Sequence, residues 1–127
     1  MGIVNIVAVT ATVALAACFS PAFAAITPPT FTVNSVADAV DANPGDGVCE
    51  TAAGNHVCTL RAAVMEASYF SGAMVVIPDL GASYLLTHGE LVINGNMTIA
   101  GAGPTKVVVD GNQLDRVLSV GNGLVVS

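Results

Sequence analysis

Oxygen-bearing side chains are concentrated between residues 38 and 50, in a stretch rich in glycine and other turn formers. The candidate ligands there are Asp38, Asp41, Asn43, Asp46 and Glu50. Carboxylate and amide oxygens at such spacing suit Ca²⁺, although the stretch lacks the regular EF-hand pattern and its bidentate glutamate. The alternative is a solvated loop in which Asp and Asn side chains accept hydrogen bonds from nearby backbone amides. Calcium is thus the one cofactor candidate, and otherwise we expect none.

Cysteines form a second group capable of chemistry. The chain has cysteines at positions 18, 49 and 58. Removal of an N-terminal leader containing Cys18 would leave Cys49 and Cys58, an even pair that an oxidising compartment would join. Their disulfide closes a small loop and stabilises the fold by roughly 2–3 kcal/mol in the chain-entropy model. The alternative is a metal site with His56, which would need more ligands than these three, so we predict the disulfide.

Catalytic carboxylates are harder to argue. Four acids lie in the second half of the chain, at Asp79, Glu90, Asp110 and Asp115. Two carboxylates at a suitable separation can hydrolyse a glycosidic bond. However, no pattern pairs these four, and Asp110 lies in an Asp-Gly-Asn triplet typical of a turn. We therefore predict no catalytic residue within this chain.

The charge of the chain excludes two classes of partner. Nine acidic residues face three basic ones, Arg61, Lys106 and Arg116, for a net charge of −6. Binding to nucleic acid and to anionic membrane surfaces depends on Lys and Arg, so neither partner is predicted. The acidity is typical of a protein that has to stay soluble.

The N-terminal segment that ends at Ala24 predicts a cleavable signal peptide. Residues 3–17 carry no charge, but the stretch is shorter than the ~20 residues that a membrane-spanning helix needs. Ala22-Phe23-Ala24 follows, so we expect cleavage after Ala24 and no transmembrane helix in the mature chain. Leu15-Ala16-Ala17-Cys18 looks like a bacterial lipobox, which makes lipidation at Cys18 the alternative. Either route predicts a protein that is secreted or held at the cell envelope or outer membrane.

One short helix is predicted in the mature chain. Thr59 can cap its N-terminus through the side-chain hydroxyl. Apolar residues then recur on one helical face, at Leu60, Ala63, Val64 and Ala67. Arg61 and Glu66 fall off that face. Gly72 supplies a C-terminal stop, so the pattern predicts an amphipathic helix over residues 59–71.

Short apolar runs separated by Gly, Asn and Asp corners make up the rest of the mature chain. They predict strands at residues 31–36, 75–77, 84–86, 91–93, 97–99, 107–109, 117–118 and 124–126. Three runs recur in the same order at a nearly constant offset, as Val75-Val76-Ile77 does in Val107-Val108-Val109 and Leu91-Val92-Ile93 does in Leu124-Val125-Val126. This spacing predicts a solenoid with about three strands per coil. Because fewer than two coils follow the helix, we expect the solenoid to continue beyond Ser127.

Several segments, taken in order, resemble the CSLREA domain at the start of large exported bacterial proteins. One of them is Cys58-Thr59-Leu60-Arg61-Ala62-Ala63, with Thr59 and Ala62 where the motif has Ser and Glu, and the motif is specific only as an ordered set. The other matching segments are residues 31–35, 37–38, 46–49, 89–93, 98–99, 101–103 and 109–112. The resemblance implies a mostly β fold that starts a right-handed parallel β-helix, similar to pectate lyases and polymorphic outer-membrane proteins. It also implies that the protein is secreted, but it does not indicate any reaction that the protein would catalyse.

These patterns predict a signal peptide (residues 1–24), an N-terminal cap (residues 25–72) and the first, truncated coils of a parallel β-helix (residues 73–127). The expected function is a structural or adhesive module at the bacterial cell envelope or outside it. Its expected partners are cell-surface or extracellular polysaccharide or protein. The alternative is the N-terminal part of a secreted carbohydrate-active enzyme with its active site beyond residue 127. A third interpretation is a fragment without function, whose open strand edge aggregates.

Overall fold

The structure of the protein is a computed structural model that describes residues 26–113 and 116–127. The predicted signal peptide and Cys18 lie outside the described residues. The fold is mostly β, with short strands and one short helix in the part described. None of the helical structure in that part has the length and apolar character of a membrane span.

The elements alternate with turns throughout the described residues. The strands are β1 (Thr30–Thr32), β2 (Ala73–Ile77), β3 (Tyr84–Leu85), β4 (Leu91–Ile93), β5 (Met97–Gly101), β6 (Val109–Asp110) and β7 (Leu118–Val120), and helix α1 (Leu60–Ala67) lies between β1 and β2. In β2, Val75 and Ile77 are buried whereas Met74, on the opposite face, is exposed. Such alternation is expected of a strand that packs one face on a core.

Every strand pair in the described part is parallel. The described strands form three small sheets, with the orders β1-β2-β5, β3-β6 and β4-β7. Three consecutive strands, β2 to β4, therefore pair in chain order with the three that follow, β5 to β7. The register places opposite each other Val75 and Ile99, Tyr84 and Val109, and Leu91 and Leu118. A bridge from Met97 to Val126 adds a further parallel contact beside β5.

This register corrects the predicted repeat, which was longer and had a nearly constant offset. Facing residues are 24 positions apart in β2 and β5, 25 apart in β3 and β6, and 27 apart in β4 and β7. Val109 consequently lies beside Tyr84, and the Val107-Val108-Val109 run does not pair with Val75-Val76-Ile77. The turns between the strands differ in length, so no single spacing relates one set of strands to the next. The similarity of the Val-rich runs is a coincidence of composition.

Helix α1 begins as its sequence predicts. The Thr59 hydroxyl oxygen accepts a hydrogen bond from the Ala62 amide at 3.1 Å. The same hydroxyl donates to the Ala39 carbonyl at 2.6 Å. Thr59 therefore caps the helix and also ties its first turn to the preceding loop.

The helix ends at Ala67, earlier than the predicted residue 71. Beyond it, the Tyr69 amide bonds to the Glu66 carbonyl and the Phe70 amide to the Ala67 carbonyl. These bonds span three residues and tighten the chain out of the α-helical ladder. Gly72 takes a positive φ of 81° in the turn before β2, but it lies five residues beyond Ala67 and is not the helix stop that the sequence predicted.

The core lies between α1 and the inner faces of the strands. Its buried members include residues of α1, β1, β2, β3 and β4, among them Phe31, Val33, Leu60, Val64, Val75, Ile77, Tyr84, Leu86, Leu91 and Ile93. The apolar residues that follow in and around β5 to β7 are only partly buried, namely Ile99, Val107, Val109, Val117 and Val126. The core is thus covered by α1 at one end and open at the other.

A close backbone contact fixes α1 on the strands. A Cβ atom at Gly95 would lie 2.5 Å from the Ser68 carbonyl oxygen, which no side chain tolerates. Glycine is therefore required in the turn between β4 and β5. The contact holds the C-terminal end of the helix directly against that turn.

Candidate functional site

A buried ion pair joins the loop before the disulfide to the first turn of α1. The Arg61 guanidinium meets the Asp38 carboxylate at two points, Nε to Oδ1 at 2.6 Å and a terminal nitrogen to Oδ2 at 3.0 Å. Only 2 % of the Asp38 side chain is exposed. The paired geometry is the strongest arrangement available to these two groups. Arg61 is thus buried, contrary to its expected place off the apolar face, because Asp38 neutralises it.

The same pair holds the segment between β3 and β4. The Asp38 carboxylate accepts hydrogen bonds from the Thr87 amide at 2.7 Å and the His88 amide at 2.8 Å. Arg61 donates to the Gly89 carbonyl at 2.6 Å and to the Glu90 carbonyl at 3.1 Å. Two side chains from the first half of the chain therefore satisfy four backbone groups of the strand region. This arrangement, the clamp, is structural, because its polar atoms are engaged in holding the backbone.

The clamp sets the protonation of Asp38. Burial by itself raises the pKa of the Asp38 carboxyl, but hydrogen bonds from Arg61 and from the His88 and Thr87 amides, with the charge of Arg61, outweigh it. The pKa falls from 3.8 to about 2. Since hydrogen bonds to the charged form favour that form, Asp38 is a carboxylate throughout the physiological pH range and is unsuited to proton transfer.

Glu66 is a second buried acid that the sequence pattern did not reveal. Its carboxylate is fully buried, and it accepts hydrogen bonds from the Gly45 amide, at 2.6 Å, and from the Gly47 amide. Both glycines have positive φ, which turns their amides towards the helix. The two backbone N–H groups supply the hydrogen-bond partners that this buried carboxylate needs. The glycines of the predicted turn were the available signal, but nothing in the spacing linked them to Glu66.

The remaining acids of the predicted calcium stretch act within their own loop. Asp41 accepts hydrogen bonds from the Asn43 and Glu50 amides. Asp46 accepts from the Val48 amide and from the Asn43 side chain. Glu50 accepts from an amide four residues on, at Gly54. Asp38 points instead into the clamp, so the structure does not gather the five residues around one point.

The geometry of the described residues therefore gives no support to a metal site. Among the described residues, no group of three or more His, Cys, Asp or Glu side chains is placed to hold a metal ion. The hydrogen bonds of the acidic loop match the solvated-turn interpretation, in which short polar side chains organise the backbone. Calcium binding stays a prediction.

The predicted disulfide is present. Cys49 and Cys58 are joined, with Cα atoms 5.1 Å apart. Cys58 is buried in the core and Cys49 packs against it. The Cys58 amide also donates to the Asn34 side chain at 2.8 Å. The disulfide therefore anchors the end of the acidic loop beside β1, one residue before the helix cap.

The candidate catalytic acids that the structure describes each make separate contacts. Asp79 and Asp110 each accept a hydrogen bond from the amide two residues on, which stabilises their own turns. Glu90 forms an exposed ion pair with Arg116 at 3.1 Å. Asp115 lies outside the described residues. None of these contacts joins two of the three described acids to each other.

Several concave regions of the described residues could receive another molecule, and three of them lie at the cap or at the open end of the core. One of about 330 Å³ lies beside β1 and the disulfide, and another of about 330 Å³ lies against the end of α1. The third, of about 260 Å³, is the open end of the core, where Ile77, Leu91 and Val117 are among the lining residues. Its lining is almost wholly apolar, so it is suited to packing against polypeptide.

Comparison with protein-family models, with curated proteins and with solved structures gives no match to this chain. No relative therefore lends it an activity, a substrate or a partner. Its function has to be inferred from the clamp, the disulfide, the parallel strand pairing and the open apolar end.

Proposed function

We propose that the chain is the N-terminal capping module of an exported, parallel β-helical protein with a structural or adhesive role. In this proposal β2, β3 and β4 are one coil of a right-handed β-helix, and β5, β6 and β7 are the next. The observation that carries it is the pairing of three consecutive strands, in parallel and in order, with the next three. Right-handed crossovers are the rule for parallel connections.

The distribution of burial supports a module with one closed and one open end. Leu91 of the first coil is 3 % exposed, whereas its register partner Leu118 of the second coil is 37 % exposed. Inward-facing residues of a solenoid are buried by the coil stacked on each side. The second coil therefore has the properties of a surface that receives further β-helical coils.

The region that precedes β2 is suited to closing the other end. Helix α1 packs its apolar face on the strands, and the Gly95 contact places it close to the turn between β4 and β5. The clamp and the disulfide fix the surrounding loop. Solenoids need such capping elements because an uncovered terminal coil would expose apolar surface and strand edges.

The resemblance to the CSLREA domain belongs to the same proposal. Its segment at residues 58–63 contributes Cys58 to the disulfide, Thr59 to the helix cap and Arg61 to the clamp. Asp38, from an earlier segment of the motif, is the partner of Arg61. Ala62, which replaces the motif's Glu, is fully buried. The motif residues thus have a structural reason to occur together.

Export is the second half of the proposal. The predicted signal peptide, the disulfide and the net charge of −6 are consistent with a folded protein outside the cytoplasm. We propose that the protein is secreted or held at the cell envelope or outer membrane of a bacterium. Lipidation at Cys18 would anchor it there, whereas cleavage after Ala24 would release it from the signal peptide.

The test is to express the complete reading frame, with a C-terminal epitope, in a Gram-negative bacterium and to fractionate the cells. We expect the epitope in the outer-membrane or extracellular fraction, and a mature N-terminus at Ala25 by mass spectrometry. Ala24→Leu should block this processing, because signal peptidase requires a small residue there. Cys18→Ser is the matched control and should leave it unchanged. Retention of the unprocessed chain in the cytoplasm would contradict export, and degradation of a polysaccharide by the secreted protein would contradict a purely structural role.

A further inference from the structure

An exposed aromatic ring lines the cleft at the end of α1. Tyr69 is 66 % exposed, and it borders a cleft of about 330 Å³ together with Pro44, Met65, Ser68, Val92 and Asn94. The volume is at the small end of the range of ~300–1,000 Å³ for ligand pockets. The cleft lies on the outer surface, between the cap and the outward face of β4. It belongs to neither the clamp nor the open end of the core.

The Tyr69 ring is held in place from behind. A Cβ atom at Gly45 would lie 3.1 Å from two atoms of the ring, so the ring rests directly on the glycine. Gly45 is itself fixed, because its amide donates to the buried Glu66 carboxylate at 2.6 Å. Glu66 belongs to α1, three residues before Tyr69. One side of the ring therefore rests on a glycine that a partly buried hydrogen bond holds in place, and most of the side chain is exposed.

The other lining groups combine apolar surface with hydrogen-bonding capacity. Val92 and Pro44 supply apolar contact. The exposed Asn94 side chain carries amide donors and an acceptor, and the Ser68 hydroxyl, which donates to the Val64 carbonyl, retains acceptor capacity. An aromatic face next to a few fixed polar groups suits a ligand that has an apolar face and a rim of hydroxyls. A pyranose ring has that chemistry.

We propose that this cleft, the Tyr69 cleft, binds a neutral sugar unit of an oligosaccharide or polysaccharide. The sugar would stack its C–H face on the Tyr69 ring and exchange hydrogen bonds with Asn94 and Ser68. The inference deepens the proposed function, on which it rests, by naming the chemical class of the adhesive partner. It assigns a positioning role to Gly45 and Glu66.

The charge around the cleft selects neutral sugars over uronates. No Lys or Arg is among its lining residues. The Glu66 carboxylate lies directly behind the supporting glycine, and its described partners are backbone amides without a full positive charge. A carboxylated sugar would therefore meet a negative potential with no cation to pair with. Binding should show no requirement for low salt, since no ion pair contributes.

The experiment is an NMR titration of the exported full-length chain, followed through its tyrosine ring signals. The chain has two tyrosines and no tryptophan. Tyr84 is buried, with its hydroxyl bonded to the Pro78 carbonyl at 2.6 Å, and serves as an internal reference. The probes are neutral tetramers of glucose, mannose and N-acetylglucosamine, with tetragalacturonate as the acidic comparison. We expect a neutral tetramer to shift the Tyr69 ring signals saturably and to leave those of Tyr84 unchanged.

Substitutions distinguish weaker binding caused by loss of the stacked ring from weaker binding caused by a disrupted fold. Tyr69→Ala should weaken binding by at least about tenfold through loss of the stacked ring, and Tyr69→Phe should retain it. Gly45→Ala should weaken binding while keeping Tyr69, because its Cβ would displace the ring. Leu80→Ala removes an exposed apolar side chain outside the cleft and should leave affinity unchanged. Thermal unfolding of each variant checks that it is folded.

The outcomes are distinct from those of the export experiment. Absence of any shift at Tyr69 with all three neutral tetramers would overturn the sugar site, and so would unchanged affinity in Tyr69→Ala. Preferential binding of tetragalacturonate would overturn the selection for neutral sugars. None of these results would contradict the proposal that the protein is an exported structural module. If the protein stays in the cytoplasm but still binds sugar, the proposed exported function is contradicted and the sugar site is not.

Discussion

The two halves of the described chain bury different kinds of side chain. The cap, residues 26–72, buries five polar or charged side chains, which are Asp38, Asp41, Thr59, Arg61 and Glu66. The buried side chains of the strand region, residues 73–113 and 116–127, are apolar or aromatic. A cap with few regular elements has many backbone groups to satisfy, and buried polar side chains supply their partners. The strands satisfy one another through parallel pairing and need only apolar contact between them.

This difference means that the cap has one specific geometry, whereas the proposed function treats the strand region as a stack that further coils extend. A buried charged pair is costly when one partner is removed and specifies where its elements dock. An apolar stack gains stability roughly in proportion to the area it buries. The predictions below test whether stability follows this division.

The largest effect is expected from breaking the clamp. Arg61→Met would leave the Asp38 carboxylate buried without its cation and the Gly89 and Glu90 carbonyls without a donor. We expect a loss of about 3–5 kcal/mol in the free energy of unfolding, measured by urea denaturation. Arg116→Met is the matched control: its ion pair with Glu90 is exposed and should be worth less than about 1 kcal/mol. Equal losses in the two variants would mean that the clamp is no more than a surface pair.

A matched leucine pair tests the open end of the strand region. Leu91→Ala removes a buried side chain and should cost about 2–5 kcal/mol. Leu118→Ala, at the register partner, should cost less than about 1 kcal/mol because the side chain is already partly solvated. The comparison uses the same urea denaturation. A large cost at Leu118 would show that something covers this end in solution.

Removal of the disulfide should have a smaller effect that is confined to the cap. The double variant Cys49→Ser/Cys58→Ser should lose roughly 2–3 kcal/mol, since the loop regains conformational freedom in the unfolded state. Hydrogen exchange should accelerate at the Ala42 and Thr51 amides, which bond within the loop. Protection of the Leu91 amide, which bonds to the Val117 carbonyl, should persist relative to global unfolding. Equal acceleration in both regions, beyond the global loss, would contradict the division.

The smallest effect concerns pH. The pKa of Asp38 is lowered from 3.8 to about 2 in the fold, so the unfolded chain binds more protons between these values. The resulting stability is present above about pH 4 and is lost as pH falls towards 2, by about 2 kcal/mol. Asp38→Asn should lack this component of acid destabilisation, which urea denaturation at successive pH values would reveal. If the free energy of unfolding of the variant falls with pH just as that of the unmodified protein does, Asp38 is not the group responsible.

Local features of the fold were predictable because short-range rules determine them. The bounds of β4 agree with its predicted residues 91–93, since corner residues flank the apolar run on both sides. Thr59 precedes the apolar periodicity of α1 and caps it. The disulfide was predictable because only Cys49 and Cys58 remain once the predicted signal peptide is left out. In each case the information lies within a few residues of the element.

Features that depend on distant partners could not be predicted. Arg61 and Glu66 fell off the apolar face of α1, yet both are buried. Their partners, Asp38 and the glycines at 45 and 47, lie 19 to 23 positions earlier in the chain, beyond the reach of periodicity. The register between strands depends on turn lengths that the Val-rich runs do not encode. The contact of Tyr69 with Gly45 could not be predicted either, because the two residues lie far apart in the sequence.

The parallel stacking of β4 on β7 is the central claim, and cross-linking tests it most directly. Val92 lies opposite Ser119 in the register, whereas the longer repeat predicted from the apolar runs would place Val92 opposite Val125. Facing Cα atoms in a sheet are ~4.8 Å apart, within the range that a disulfide spans. The double variant Val92→Cys/Ser119→Cys should therefore form a second disulfide on oxidation in the folded state, detected by mass spectrometry, and Val92→Cys/Val125→Cys should not. Cross-linking of the second pair with failure of the first would contradict the stacking.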